Sequence, residues 1–194
     1  MLFCASCPVK NCAKRFGEEE EYPRTCPTER EEINEFLELY QDPETKLLAK
    51  ASAISSTDYA KSRAEQTVDF ARNAGFKKIG IAFCISLADY GRDLAIFLRN
   101  EGFEVESVIC KVGHHARECV GVSENRDKPM CNPVAQAEYL NRAKTDLNIV
   151  VGLCAGHDTL FFKYSKAPVT VLIAKDHRYH NAPAKFFDGG MKKA

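Results

Sequence analysis

The sequence has no excess of charge, no long hydrophobic run, no internal repeat and no low-complexity tract. Its 27 basic and 27 acidic residues cancel, so no summed field draws it to nucleic acid, an anionic membrane or an acidic partner. Apolar runs such as residues 148–155 fall far short of the roughly 20 residues that span a bilayer. The first residues lack the basic, apolar and small-residue order of a secretory leader, so the expected location is cytoplasmic. With 194 residues, 45% hydrophobic and 28% charged, the composition suits one ordinary domain with an appendage, large enough to bury a real core.

What is present in abundance is cysteine. Nine is an odd number, so disulfides cannot pair them all, and a reducing cytosol disfavours such bridges. Clustered thiols there point to metal binding or to reactivity. Four of the nine fall in the first 27 residues, beside three prolines and the acidic run 18–21, with no sustained apolar period. That segment reads as a loop-like module in need of an outside staple, and the acidic run as a solvated stretch. Cys4 and Cys7 have the Cys-x-x-Cys spacing that lets two thiolates grip one ion or cluster. Cys12 adds a third sulfur and Cys26 returns as a fourth. Such a set suits tetrahedral zinc or an iron-sulfur cluster. Zinc ribbons usually offer two Cys-x-x-Cys knuckles, whereas here one pair precedes two single cysteines, which leans towards the cluster.

Three helices are expected next. Residues 28–41 carry Thr28 and Glu31 in capping-box form, with Ile33, Phe36, Leu37 and Tyr40 at helical spacing. Asp42-Pro43 opens a second helix, and residues 58–73 form a third that stops at Gly75. Strand and helix then alternate: strands at 77–85, 103–112, 147–156 and 168–176, and helices at 88–102, 132–145 and 157–165. Continuous apolar runs in the strands mark a parallel sheet covered on both faces. The expected fold is α/β, a mainly parallel four-stranded sheet in the order 2-1-3-4 flanked by helices. The expected organisation is a cysteine-rich metal-binding module at 1–27, a helical connector at 28–57 and an α/β, Rossmann-like domain at 58–194.

In such a sheet the carboxyl ends of all strands gather at one rim, and a crevice opens where neighbouring crossovers leave on opposite sides. Cys84 is expected to end the first strand and Cys154 the third. Cys110 lies near the end of the second, Cys119 and Cys131 in the loop leaving the same rim, and Asp176 with His177 ends the fourth. His157 is expected to open the following helix, whose N-terminus stabilises a thiolate or anion. Each has a plain structural reading. Cys84 and Cys110 suit small buried apolar positions, and Cys119 with His114 and His115 suits a surface loop. Cys154 lies among small residues that admit close approach to the backbone, and Cys131 sits in a polar loop with less reason to be core.

The segments "CNPVAQAEYLN" and "GLCAGHDTLFFKYSKAPVTVLIAKD", with "CASCPVKNC", Cys26-Pro27, "GIAFCISLA" and "CKVG", resemble a family of uncharacterised prokaryotic metal-binding proteins, domain of unknown function 1847. The resemblance implies metal binding through cysteines and no particular activity. The positions matching its pattern are Cys4, Cys7, Cys12, Cys26, Cys84, Cys110, Cys131, Asn132, Cys154, His157 and Asp158. The tail reads His180-Asn181-Ala182-Pro183, where the pattern calls for proline directly after asparagine.

The leading expectation is a cytoplasmic metal-binding protein with a four-cysteine iron-sulfur or zinc site at the front. Its α/β rim would hold a second cysteine-rich, cofactor-binding site at Cys84, Cys131, Asn132, Cys154, His157 and Asp158. Cys84, Cys131 and Cys154 would be sulfur ligands there and His157 a nitrogen ligand, leaving the site open to redox or Lewis-acid chemistry on a small molecule. One alternative is a thiol enzyme whose rim cysteines are a nucleophile and its resolving partner. The other is a non-catalytic ligand-binding or sensing module with a structural zinc.

Overall fold

The computed structural model describes residues 4–16, 18, 21–122 and 128–188. Glu19 and Glu20 of the acidic run, and residues 123–127 of the long polar loop, lie outside the described residues. Two compact units divide the chain, Met1–Ala53 and Ile54–Ala194.

In the second unit, β1 (Lys78–Phe83) is buried at four consecutive positions, as a continuous apolar run requires of a strand covered on both faces. It pairs in parallel with β2 (Glu104–Ile109) on one side and with β3 (Leu147–Val151) on the other. β3 pairs in parallel with β4 (Val169–Ile173), completing the order β2-β1-β3-β4 that the sequence predicts.

Side chains alternate along each strand, and the two faces fill separately. Ile79 and Ile81 join Leu147, Ile149 and Val151 against α3 (Arg63–Asn73) and α4 (Ala88–Asn100), where Val68, Ala71, Leu94, Ala95 and Leu98 complete one core. Ala82, Cys84, Cys110 and Val150 lie on the opposite face. There α5 (Pro133–Ala143) and α6 (Ala155–Tyr164) supply Ala137, Leu140 and Phe161. Each fully buried Leu, Ile or Phe in these layers contributes about 1.5–3 kcal/mol relative to exposure. The β1-α4-β2 crossover thus covers one face and β2-α5-β3 the other, so the crevice opens between the carboxyl ends of β1 and β3.

Two backbone devices shape that rim. Gly152 has φ +65, and a Cβ there would stand 1.9 Å from Leu87 Cδ1, so glycine is required for Leu87 to pack. A register shift between Val150 and Val151 pairs Val151 with Ile173 instead of Leu172. The extra residue re-aims the side chains that follow in β4.

Several boundaries differ from expectation. α3 starts at Arg63 rather than residue 58 because Ser62 and Glu65 form a reciprocal capping box: the Glu65 carboxylate accepts the Ser62 N–H at 2.7 Å, and Ser62 Oγ accepts the Glu65 N–H at 3.4 Å. Tyr59 therefore lies outside the helix, and exposed. Gly75, at φ +75, ends α3 as predicted. α6 begins at Ala155 with Cys154 as its N-cap, two residues ahead of His157. The strands stop at Phe83, Val151 and Ile173, so Cys84, Cys154, Asp176 and His177 follow the strand ends rather than forming them. From 177 to 188 the tail is irregular except for α7 (Lys185–Asp188), and residues 189–194 lie outside the described residues.

The first unit has short 3-10 turns at Cys4–Ser6, Asn11–Ala13 and Pro27–Glu29, then α1 (Glu32–Glu38) and α2 (Pro43–Ser55). Asp42 accepts the Thr45 N–H at 2.8 Å, the cap that the Asp-Pro signal implies. The capping box expected at Thr28 does not form: Thr28 lies within a 3-10 turn, and Glu31 is the N-cap of α1 without a side-chain bond. Among the described residues, no helix is long and apolar enough to cross a membrane.

A candidate thiol site at the sheet rim

All nine cysteines are free thiols. In the first unit, Cys4, Cys7 and Cys26 line a single cavity of about 100 Å³ with Pro8, Pro23 and Pro27; Cys12 is absent from its lining. The prolines restrict the local backbone around that cavity. Backbone N–H groups of Lys10, and then Val9, hydrogen-bond to Cys7 and lower its thiol pKa, the direction that favours the metal-binding thiolate. Among the described residues, no three His, Cys, Asp or Glu side chains stand together closely enough to hold a metal ion.

At the rim of the second unit the thiols do meet. The register that pairs Phe83 with Ile109 brings the next two residues, Cys84 and Cys110, side by side on the α5/α6 face. The Cys110 thiol donates to Cys84 Sγ at 4.0 Å. Lys175 Nζ, beyond the end of β4, donates to the same sulfur at 2.9 Å, and Ser86 Oγ lies 3.4 Å from it. Lys175 also hydrogen-bonds Ser86 Oγ. Three polar groups therefore converge on one sulfur, and Cys84 keeps 8% of its surface open while Cys110 keeps 1%. The hydrogen bond from Cys110, followed by those from Lys175 and Ser86, holds the Cys84 thiol well below the ordinary range, against the opposing effect of burial. Cys110 moves the other way, because donating to Cys84 and being buried both favour its protonated form.

The backbone fixes this pair. Cys84 N–H bonds to Val151 C=O at 3.1 Å, and Cys110 N–H to Phe83 C=O at 2.9 Å. Gln136, fully buried on α5, donates to Val108 C=O at 2.7 Å and Phe83 C=O at 3.3 Å, tying the ends of β1 and β2 together just before the two cysteines. Asn132 N–H bonds to Cys110 C=O at 2.7 Å, while its side chain caps α5 by accepting the Ala135 N–H at 3.0 Å.

The other rim residues surround the pair. Cys154 lies within electrostatic reach of Lys175, Cys84, Cys131 and Asp158, and burial pushes its thiol pKa up. Its carbonyl accepts the N–H groups of His157 at 2.7 Å and Asp158 at 2.9 Å, which open α6. Burial lowers the His157 pKa, favouring neutral imidazole. Burial also raises the Asp158 carboxyl to about 6, and its Oδ1 has no hydrogen-bond partner. Cys131 and His157 share the lining of a cavity of about 440 Å³ with Arg117, Met130 and Leu160. Cys119, His114 and His115 are exposed.

A protein family described as "Protein of unknown function (DUF1847)" matches residues 25–172. The chain belongs to this family. The match takes in Cys26 and every rim cysteine, and it ends three residues before Lys175. A relative from Methanocaldococcus jannaschii, described as uncharacterized protein MJ0455, is 46% identical over 145 residues, covering 72% of this chain and 75% of that protein. No solved structure matches the chain.

The sequence puts Cys84 and Cys110 on one rim, but the strand expected at 168–176 takes in Lys175, whereas β4 ends at Ile173 and Lys175 lies just past it, on the same rim. Cys110 was legible as the in-register neighbour of Cys84 once the two strands were aligned.

Proposed function

We propose that this DUF1847 protein has a reactive thiol centre in its second unit, with Cys84 as nucleophile, and a thiolate-bound metal in its first unit. The observation that carries the first part is the contact of Lys175 Nζ with Cys84 Sγ at 2.9 Å. An ammonium ion beside a sulfur that keeps an opening to solvent is the arrangement that favours a nucleophilic thiolate. Neutral His157, within electrostatic reach of Cys84, lines with Cys131 a cavity whose groups would orient a small substrate. Anaerobic alkylation with limiting iodoacetamide at pH 6, mapped by peptide mass spectrometry, tests this. Cys84 is expected to label first, and preferential labelling of Cys119 or Cys131 with Cys84 untouched would overturn it.

For the first unit, the donor set fits a soft metal in kind. Three cysteines line one small cavity, and backbone N–H groups favour the thiolate form of one of them. Cys4, Cys7, Cys12 and Cys26 would hold zinc or an iron-sulfur cluster, which would supply the folding energy that a segment without an apolar core lacks. Metal analysis of anaerobically purified protein tests the assignment. Stoichiometric zinc, or iron with acid-labile sulfide, should be present and should be lost in Cys7→Ser, together with protease resistance of residues 4–26. Retention of the metal in a variant lacking all four cysteines would refute it.

A further inference from the structure

Resting on the reading of Cys84 as the nucleophile, we propose that Cys110 is its resolving thiol and that the pair forms a two-electron dithiol–disulfide centre acting on small disulfides. The geometry carries this. Cys84 and Cys110 directly follow paired positions of adjacent parallel strands. Neighbouring strands run about 4.8 Å apart, inside the Cα separation of about 4.4–6.8 Å that a disulfide spans. Their sulfurs already stand 4.0 Å apart on one face, so side-chain rotation closes the bond without breaking the strand pairing. Exposure divides the roles: Cys84 retains 8% of its surface and is the more accessible of the two, while Cys110 retains 1% and donates directly to Cys84.

The chemistry balances in two exchanges. The Cys84 thiolate attacks one sulfur of the substrate disulfide, the S–S bond breaks, and one half leaves as thiolate while the other stays on Cys84. Cys110 then gives its proton to a departing thiolate and attacks Cys84 Sγ, expelling the second half as thiolate. Two electrons have passed from the two cysteines to the substrate, which ends as two thiols, one of them protonated, while the protein holds a Cys84–Cys110 disulfide.

The site also orders the two steps. While Cys84 is a thiolate, the hydrogen bond that Cys110 donates to it keeps Cys110 protonated. Conversion of Cys84 to a neutral mixed disulfide removes that negative charge. The Ile85 N–H, 3.4 Å from Cys110 Sγ, remains in place to support the thiolate that forms. The largest cause that holds Cys110 protonated is thus removed when its attack is required, while burial continues to oppose its ionisation.

The test treats full-length reduced protein with hydroxyethyl disulfide under anaerobic conditions and maps the products by peptide mass spectrometry. Wild-type protein is expected to yield a Cys84–Cys110 disulfide with no hydroxyethylthio group left on Cys84. Cys110→Ser, and Cys110→Ala as a second variant, should retain that group on Cys84, and Cys84→Ser should show no adduct on Cys110. If wild type and both Cys110 variants retain the adduct on Cys84 alike, Cys110 does not resolve and the inference fails while the nucleophile stands. If Cys84 takes up no adduct in any form of the protein, the nucleophile assignment itself fails.

Discussion

Replacing Lys175 with methionine isolates the contact on which Cys84 reactivity rests. Methionine keeps an unbranched chain of similar reach and removes the ammonium that now lies 2.9 Å from the sulfur. A hydrogen bond to a charged group is worth about 1.5–3 kcal/mol, and one pKa unit corresponds to about 1.36 kcal/mol, so the Cys84 pKa should rise by about 1–2 units. Cys110 and Ser86 still donate, so it should stay below the reference thiol value of about 8.5. The assay is the pH dependence of alkylation at Cys84 by iodoacetamide. Below both inflections, each unit of upward shift reduces the thiolate fraction, and hence the rate, about tenfold. Lys175→Arg keeps the cation and should hold the inflection near the wild-type position, which separates loss of charge from loss of packing. An inflection unchanged in Lys175→Met, or a wild-type inflection already near about 8.5, would refute the reasoning.

Two further expectations concern the frame around the pair. Gln136→Leu removes both bonds to the carbonyls of Val108 and Phe83, offset in part because Gln136 Oε1 has no partner to lose. A net cost of about 1 kcal/mol should lower Tm by about 2–4 °C for a chain of this size, and an unchanged Tm would show that the strand ends hold without it. Asp158 has a folded pKa raised to about 6 by burial, above the unfolded value of about 3.9. A raised value gives stability that is full below the unfolded pKa and is lost as pH rises through the folded one. Urea unfolding from pH 4 to 7 should therefore show wild type losing ground to Asp158→Asn across about pH 4–6. The loss should be about 1 kcal/mol once solvent screening of a half-buried group is allowed for. A difference that does not vary with pH would refute the assignment.

The sheet order was legible because it follows from patterns that act locally. Continuous apolar runs at β1 and β3 mark strands covered on both faces, and the alternation with helices leaves few right-handed arrangements. The rim position of Cys84 followed from that order alone. The identity of its partner did not, because Lys175 lies 91 residues away and a lysine after a strand reads as an ordinary solvated charge. It also follows a register irregularity in β4 opposite Val150 and Val151, which no periodicity of two anticipates. At the helix starts, two capping-box sequences competed for notice. Thr28 with Glu31 was read as a cap and is not one, whereas Ser62 with Glu65 passed unread and makes both reciprocal bonds. Local sequence offers the cap, but the path of the preceding chain determines whether it closes.

The 91-residue separation between Cys84 and Lys175 has a temporal meaning. Synthesis runs from the amino terminus, so the sulfur leaves the ribosome long before the ammonium group that donates to it. Until the last strand docks, the nascent polypeptide carries Cys84 without that cation, its acidity resting on Cys110 and Ser86. Under the proposed reading, the sulfur reaches its full acidity only once that last strand is in place.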